Sequence, residues 1–308
     1  MACKIYLSTD DNAPVVAGND STCIINLLQK CLIDGYGPRN PVGGWTMPFC
    51  NAARTQAVFR NDPTGTGHYL QIDHASTSSS YTYTALGGEM ASSENNLQNT
   101  FGSTGNRLKS SNASNTTARP WIVLASPQWV FLLVYTAKTG SIPTNAQLES
   151  NGNTYGFWFG DYDKALIDDA YNSMISLLYS FNDFGSSSST ASSSNGYYFS
   201  RDKQGAPGSR QGKTYTAYPG TGQPFGGGNS PAYMAQTGLY VCRVAFDGGD
   251  SYCLRGWLPD ALCPLHSRPF EQMEQVEING TIYTAICFCQ GQNASIGYQC
   301  QLLFEVEQ

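Results

Sequence analysis

The densest group of side chains able to do chemistry lies between Phe159 and Tyr171, where Asp161, Asp163, Asp168 and Asp169 crowd thirteen positions. Paired carboxylates on opposite sides of a sugar bond hydrolyse glycosides, and a run of them can hold Ca²⁺. The central glycine of an EF-hand loop is missing from this run. Asp161 and Asp163 also stand just before a segment with helical spacing, Ile167, Tyr171, Met174 and Leu178. Carboxylates in the first turn of a helix answer the partial positive charge of its free N–H groups. The expectation is a helix over Lys164–Tyr179, with Asp161 and Asp163 at its start and only weak candidates for metal or catalysis.

Other chemical motifs are fainter. Gln211-Gly212-Lys213-Thr214 resembles the end of a phosphate loop, but Pro207 stands where the first glycine of G-x-x-x-x-G-K-[ST] belongs. His68, His74 and His266 show no H-E-x-x-H spacing, and no G-x-S-x-G elbow occurs. Ten cysteines stand at 3, 23, 31, 50, 242, 253, 263, 287, 289 and 300. No C-x-x-C pair marks a zinc ribbon, although Cys253, Cys263, His266 and Cys287 could meet in space. Buried thiols, disulfides and a metal site all stay open for the set. If the Asp247–Asp250 turn sets the hairpin register, Cys253 faces Val244, with Cys242 diagonal to it on the same face.

These groups must be carried by a β-rich scaffold. Only 13% of the 308 residues are charged and the formal net charge is −6, while Gly (32), Tyr (19) and Phe (14) are abundant. An acidic chain with no basic run is not built to hold nucleic acid by its phosphates. The longest apolar run, Trp129–Tyr135, is far too short to span a bilayer as a helix. The opening Met1–Ser8 has no charged and apolar signal pattern, so synthesis in a cytoplasm is expected. Lys4–Ser8 reads as a strand. Asn19–Gly35 reads as a helix, with Ile24, Leu28, Cys31 and Leu32 on one face, Asp20 or Ser21 capping it, and Gly35 past its end.

Trp121–Ala125 and Trp129–Tyr135 are apolar at every position and are joined by Ser126-Pro127-Gln128. They read as a hairpin covered on both faces at the centre of the core, with Phe157–Phe159 as a third strand beside it. Leu239–Phe246, Tyr252–Leu258, Thr281–Cys289 and Tyr298–Val306 read as further strands. Polar tracts fill Ser76–Thr84, Ser103–Thr117 and Ser186–Ser230. The fold class expected is mainly β with a few helices (α+β), built of antiparallel sheets with long polar Ser/Thr/Gly loops. Its expected division is a β-rich core with the N-terminal helix over 1–185, a Ser/Gly-rich loop or arm over 186–230 and a C-terminal β subdomain over 231–308. A single intertwined domain is the alternative.

Several separated blocks resemble, in order, a family of virion structural proteins of tailed bacteriophages. They are Leu7–Gly37 with Gly43–Thr46, Ala118–Ala125, Phe157–Asp163 and Arg255–Phe270 (RGWLPDALCPLHSRPF). The resemblance implies a place in a particle without a reaction: no enzyme activity, no cofactor and no catalytic residue to transfer. The partners it implies are other virion proteins of capsid, neck or tail and copies of the chain itself, with no nucleic acid and no membrane. The expected position is a minor capsid or decorating subunit, or the collar and neck. The alternative is a tail appendage that binds or cleaves host-surface carbohydrate.

A particle assembles in a reducing cytoplasm and is released into an oxidising medium. On that footing Cys242, Cys253, Cys263, Cys287, Cys289 and Cys300 are candidates for bonds within the chain, and Cys3 and Cys50 for bonds to neighbours. Cys23 and Cys31 are expected to line the buried side of the first helix as small hydrophobes.

Overall fold

The computed structural model describes residues 2–74, 81–102, 107–149, 154–165, 169–178, 198–201, 210–215, 239–247, 252–264, 270–289 and 299–307. The chain enters through β1 (Lys4–Leu7) and a turn into α1 (Cys23–Gln29), which widens into a π-helical turn over Lys30–Asp34. Ile24, Leu28, Cys31 and Leu32 are all buried, as their spacing predicts, and Gly35 leaves the helix at φ +80°. The expected cap is different in detail. Thr22 occupies the N-cap position, and Asp20 Oδ1 accepts hydrogen bonds from the Thr22 N–H (2.8 Å) and hydroxyl (2.7 Å) rather than from the helix.

Strands β2 (Thr46–Cys50), β3 (Gln56–Arg60), β4 (Tyr69–His74) and β5 (Thr82–Gly88) form an antiparallel meander. A separate hairpin, β6 (Met90–Ser93) and β7 (Asn96–Gln98), follows, and β8 (Arg107–Lys109) then completes the five-stranded sheet against β5. Next come β9 (Trp121–Ala125), β10 (Trp129–Tyr135), the short α2 (Asn145–Glu149), β11 (Thr154–Asp161), β12 (Asp163–Lys164) and β13 (Ser173–Leu178). The remainder is β14 (Tyr198–Ser200), β15 (Arg210–Tyr215), β16 (Leu239–Asp247), β17 (Tyr252–Pro264), β18 (Gln275–Ile278), β19 (Thr281–Cys289) and β20 (Gln299–Glu305). With β1, these strands from β9 onward make a 13-stranded antiparallel sheet in the order β1-β9-β10-β11-β13-β14-β15-β16-β17-β20-β19-β18, with β12 attached to β17. The protein is thus mainly β with few helices.

The hairpin β9–β10 sits where two-sided apolarity requires. Trp121, Val123, Val130, Leu132, Phe157 and Phe159 face α1 and the five-stranded sheet. Ile122, Leu124, Trp129, Phe131, Leu133 and Trp158 face Ile286, Leu302 and Phe304 of the last two strands. The large sheet therefore curls back over its own centre. The Trp129 and Trp158 rings stack at 4.4 Å, and the Phe304 ring lies 5.6 Å from that of Phe131. Burying both faces of three strands explains why every residue of β9, β10 and β11 is enclosed.

Three expectations change. The segment read as a helix over Lys164–Tyr179 instead carries β12 and β13, because Ser173–Leu178 finds an open edge on β11, pairing Ile175 with Phe159 and Ser176 with Trp158. Its helical spacing is overridden by long-range pairing. The tract Ser186–Ser230 contains β14 and β15, so ladder hydrogen bonds run from β13 through it to β16. Gln211–Thr214 lies inside β15, an extended geometry that cannot wrap a phosphate. In the β16–β17 hairpin Cys253 pairs with Phe246 rather than Val244, since the ladder starts at Asp247↔Tyr252, two residues farther along β17 than a turn over Asp247–Asp250 would set it.

Candidate functional site

Asp161 ends β11 and is buried, and its carboxylate receives three hydrogen bonds from the loop between β3 and β4. Thr66 gives its hydroxyl to Oδ1 (2.5 Å) and its N–H to Oδ2 (2.8 Å), while Asn61 Nδ2 reaches Oδ1 at 3.0 Å. Asn61 Nδ2 also donates to the Gln128 carbonyl (2.9 Å), in the turn between β9 and β10. The same carbonyl accepts from the Asp161 N–H at 3.1 Å. Gly65 allows the approach: a Cβ there would stand 2.2 Å from Asp161 Oδ2. Burial pushes the Asp161 carboxyl up to about 6, with the Thr66 and Asn61 hydrogen bonds pulling the other way.

This junction forms one wall of a half-open cavity of about 410 Å³. Thr64, Gly65 and Thr66 come from the β3–β4 loop, Gln128 from the β9–β10 turn, Asp161 to Lys164 from β11 and β12, Ala170 and Asn172 from the approach to β13, and Pro259 from β17. Asp163 is exposed, paired in register with Trp257, and shares the cavity with Asp161. Instead of opening a helix, the two carboxylates stand at a strand end and on a two-residue strand. Among the described residues no three His, Cys, Asp or Glu groups are placed to hold a metal ion.

Asp169 goes elsewhere. Fully enclosed, it takes a bidentate pair of bonds from Arg255, Nε to Oδ2 at 2.7 Å and Nη2 to Oδ1 at 2.6 Å, and a third from the Tyr162 hydroxyl at 2.7 Å. Burial alone would raise the Asp169 carboxyl, but the Arg255 bonds and charge and the Tyr162 hydroxyl carry it below the usual carboxylate range. Arg255 spends its remaining donors on the carbonyls of Arg201 (2.5 Å) and Tyr171 (3.2 Å). The clasp thus ties β17 to the end of β14 and to the strand entry at Tyr171. Sequence reading missed this partner; an arginine at the head of the block RGWLPDALCPLHSRPF in a charge-poor chain was its only signal. Asp168 lies outside the described residues.

His68 is buried against Phe101 (5.8 Å between rings), and burial lowers its imidazole to about 4. His74 packs edge-on to Tyr83 on the same sheet, 5.2 Å between rings. His266 lies outside the described residues. Neither described ring faces the Asp161 cavity.

Five described cysteines are free thiols. Cys23 and Cys31 line the buried side of α1, as expected. Cys3, a candidate for a bond to a neighbour, is enclosed, and its thiol donates to the Glu305 carbonyl at 3.2 Å. Burial raises it well above the ordinary thiol range. Cys287, a candidate for a bond within the chain, is a buried thiol that accepts from Gln301 Nε2 at 2.9 Å. The packing of the last two strands over the central hairpin encloses both. Cys50 is half-buried. Cys242, Cys253, Cys263, Cys289 and Cys300 stand on described backbone, but their side chains lie outside what is described.

The fold and site together define a mainly-β protein with a polar cavity at the seam between two antiparallel sheets. Compared with known proteins, the chain matches no family model and no curated sequence.

Proposed function

We propose that this chain is a structural subunit of a tailed-phage particle, a minor or decorating capsid protein or a collar-neck component, acting through contacts with other virion proteins and with copies of itself. One observation carries the reading. The blocks that resemble the virion family supply the framework: Ala118–Ala125 contains β9, Phe157–Asp163 spans most of β11 and the start of β12, and Arg255 anchors the clasp from β17. Their most enclosed side chains are spent on core and ion pair, the use a load-carrying subunit has for them. No enzyme activity is part of this reading, because Asp161 is held by three loop donors rather than directed at a bond.

The carbohydrate alternative loses most of its tryptophan platforms, since Trp45, Trp121, Trp129 and Trp158 are buried and Trp257 is part-exposed; Tyr69, Tyr81, Tyr171 and Tyr283 keep part of their faces open. What it retains is binding rather than cleavage. Mass spectrometry of purified particles tests the main reading: the chain is expected at a copy number matching a symmetry of the shell or neck. Its absence from washed particles, with the protein left free in the lysate, would overturn it.

A further inference from the structure

The cavity beside Asp161 is ringed by hydrogen-bonding groups that the fold does not use. Among the described residues the Gln128 side-chain amide, the Thr64 hydroxyl and the Asn172 side-chain oxygen Oδ1 have no hydrogen-bond partner, and the Lys164 ammonium forms no ion pair. They come from three separate parts of the chain and converge on one space of about 410 Å³, within the roughly 300–1,000 Å³ of small-ligand pockets. The wall behind them is held in advance. Thr66 and Asn61 fix the β3–β4 loop on Asp161, and Asn172 Nδ2 donates to the Tyr162 carbonyl at 2.7 Å while the Tyr162 N–H donates to the Asn172 carbonyl at 2.8 Å. Groups fixed before binding lose little freedom on binding.

We propose that this cavity binds one pyranose residue of a glycan, edge-on, through its hydroxyls. A sugar hydroxyl both donates and accepts, which is what an amide, a hydroxyl, a carboxylate and an ammonium side by side can satisfy. Competing ligand classes fit less well. A phosphate would face the carboxylates of Asp161 and Asp163 on the same wall. A divalent cation wants several oxygen ligands at once, and no cluster of three His, Cys, Asp or Glu groups is present among the described residues. An apolar molecule would leave the amides and charges unpaired. Sugar held without an aromatic platform is held weakly, so one subunit binds in the millimolar range and a particle carrying many copies gains by multivalency. The inference does not rest on the particle reading; the cavity would act the same way in any assembly.

Saturation-transfer NMR on the full chain tests it, with the methyl glycosides of glucose, galactose and N-acetylglucosamine as probes beside the free sugars. Transfer to at least one methyl glycoside is expected. Gln128→Leu and Thr64→Val, two exposed or half-exposed positions that leave the Asp161 bonds intact, should each weaken it at least about tenfold with the melting temperature held. No transfer from any probe overturns the proposal. So does transfer that survives both substitutions, since the site then lies elsewhere. Binding of free sugars without the glycosides overturns it too, because the ligand would then be a free metabolite and not the end of a glycan. Failure here leaves the copy number in particles untouched, so the two readings fail separately.

Discussion

Asp161 and His68 titrate in opposite senses across the same pH window. Asp161 has its folded pKa raised from 3.8 to about 6, so its contribution to stability is fully present below about pH 4 and is lost as pH rises through about 6. His68 has its folded pKa lowered from 6.5 to about 4, so its contribution is present above about pH 6.5 and is lost as pH falls through about 4. The two slopes offset each other. Asp161→Asn should therefore expose a loss of melting temperature on acidification from about pH 7 to about pH 4, while His68→Phe should expose a loss in the reverse direction. Parallel slopes in the two variants would contradict the assignment. Asp169 acts below this window, because its lowered pKa withdraws stability only as pH falls under the ordinary carboxylate value. Removing it is the harsher change. Asp169→Ala leaves Arg255 charged and enclosed, and should destabilise by about 3–5 kcal/mol in denaturant titrations. Replacing both residues together by apolar side chains should recover part of that loss.

At the scale of elements, β10 and β11 come close together at Gly156. Gly156 is paired with Leu133, and a Cβ on it would stand 1.9 Å from the Leu132 carbonyl oxygen, a backbone atom that cannot move aside without parting the strands. Gly156→Ala should cost more than about 3 kcal/mol or drive the protein into aggregates, read by soluble yield and melting temperature. A change of under about 1 kcal/mol would mean that the two strands are free to separate. The same scale explains the exchanged helix. Ile167, Tyr171, Met174 and Leu178 have the spacing of a helix face, yet Met174 is buried among the large rings of the second core cluster and Ile175 among those of the first. Successive residues enclosed on opposite faces are the pattern of a central strand.

Among the described residues the thiols are enclosed from two sides of the molecule, Cys23 and Cys31 under the first helix and Cys3 and Cys287 where the large sheet folds over itself. Cys3, Cys23, Cys31 and Cys287 are enclosed and Cys50 is half-buried, so brief alkylation of the native protein should label Cys50 ahead of the other four. Peptide mass mapping before and after denaturation checks this. Equal native labelling of Cys3 or Cys287 would show that β19 and β20 do not rest on the central hairpin.

Local chemistry made much of this fold legible. Runs apolar at every position gave the central hairpin and its neighbour Phe157–Phe159, and the spacing from Ile24 to Leu32 gave the first helix. Each depends on which residues must leave water, and side-chain period reports that directly. Partnership over distance was decided by tertiary structure. Ser173–Leu178 became a strand because β11 offered an edge, Cys253 met Phe246 because the ladder starts at Asp247↔Tyr252, and Asp169 paired with an arginine 86 positions away. The cavity belongs to the same class. Thr64, Gln128 and Asn172 carry no motif in sequence, and they converge with Asp163 only because the Asp161 carboxylate gathers the backbone N–H and side chain of one loop beside the carbonyl of a turn from another. Hydrogen bonds of that kind depend on distance in space, which neither spacing nor composition encodes.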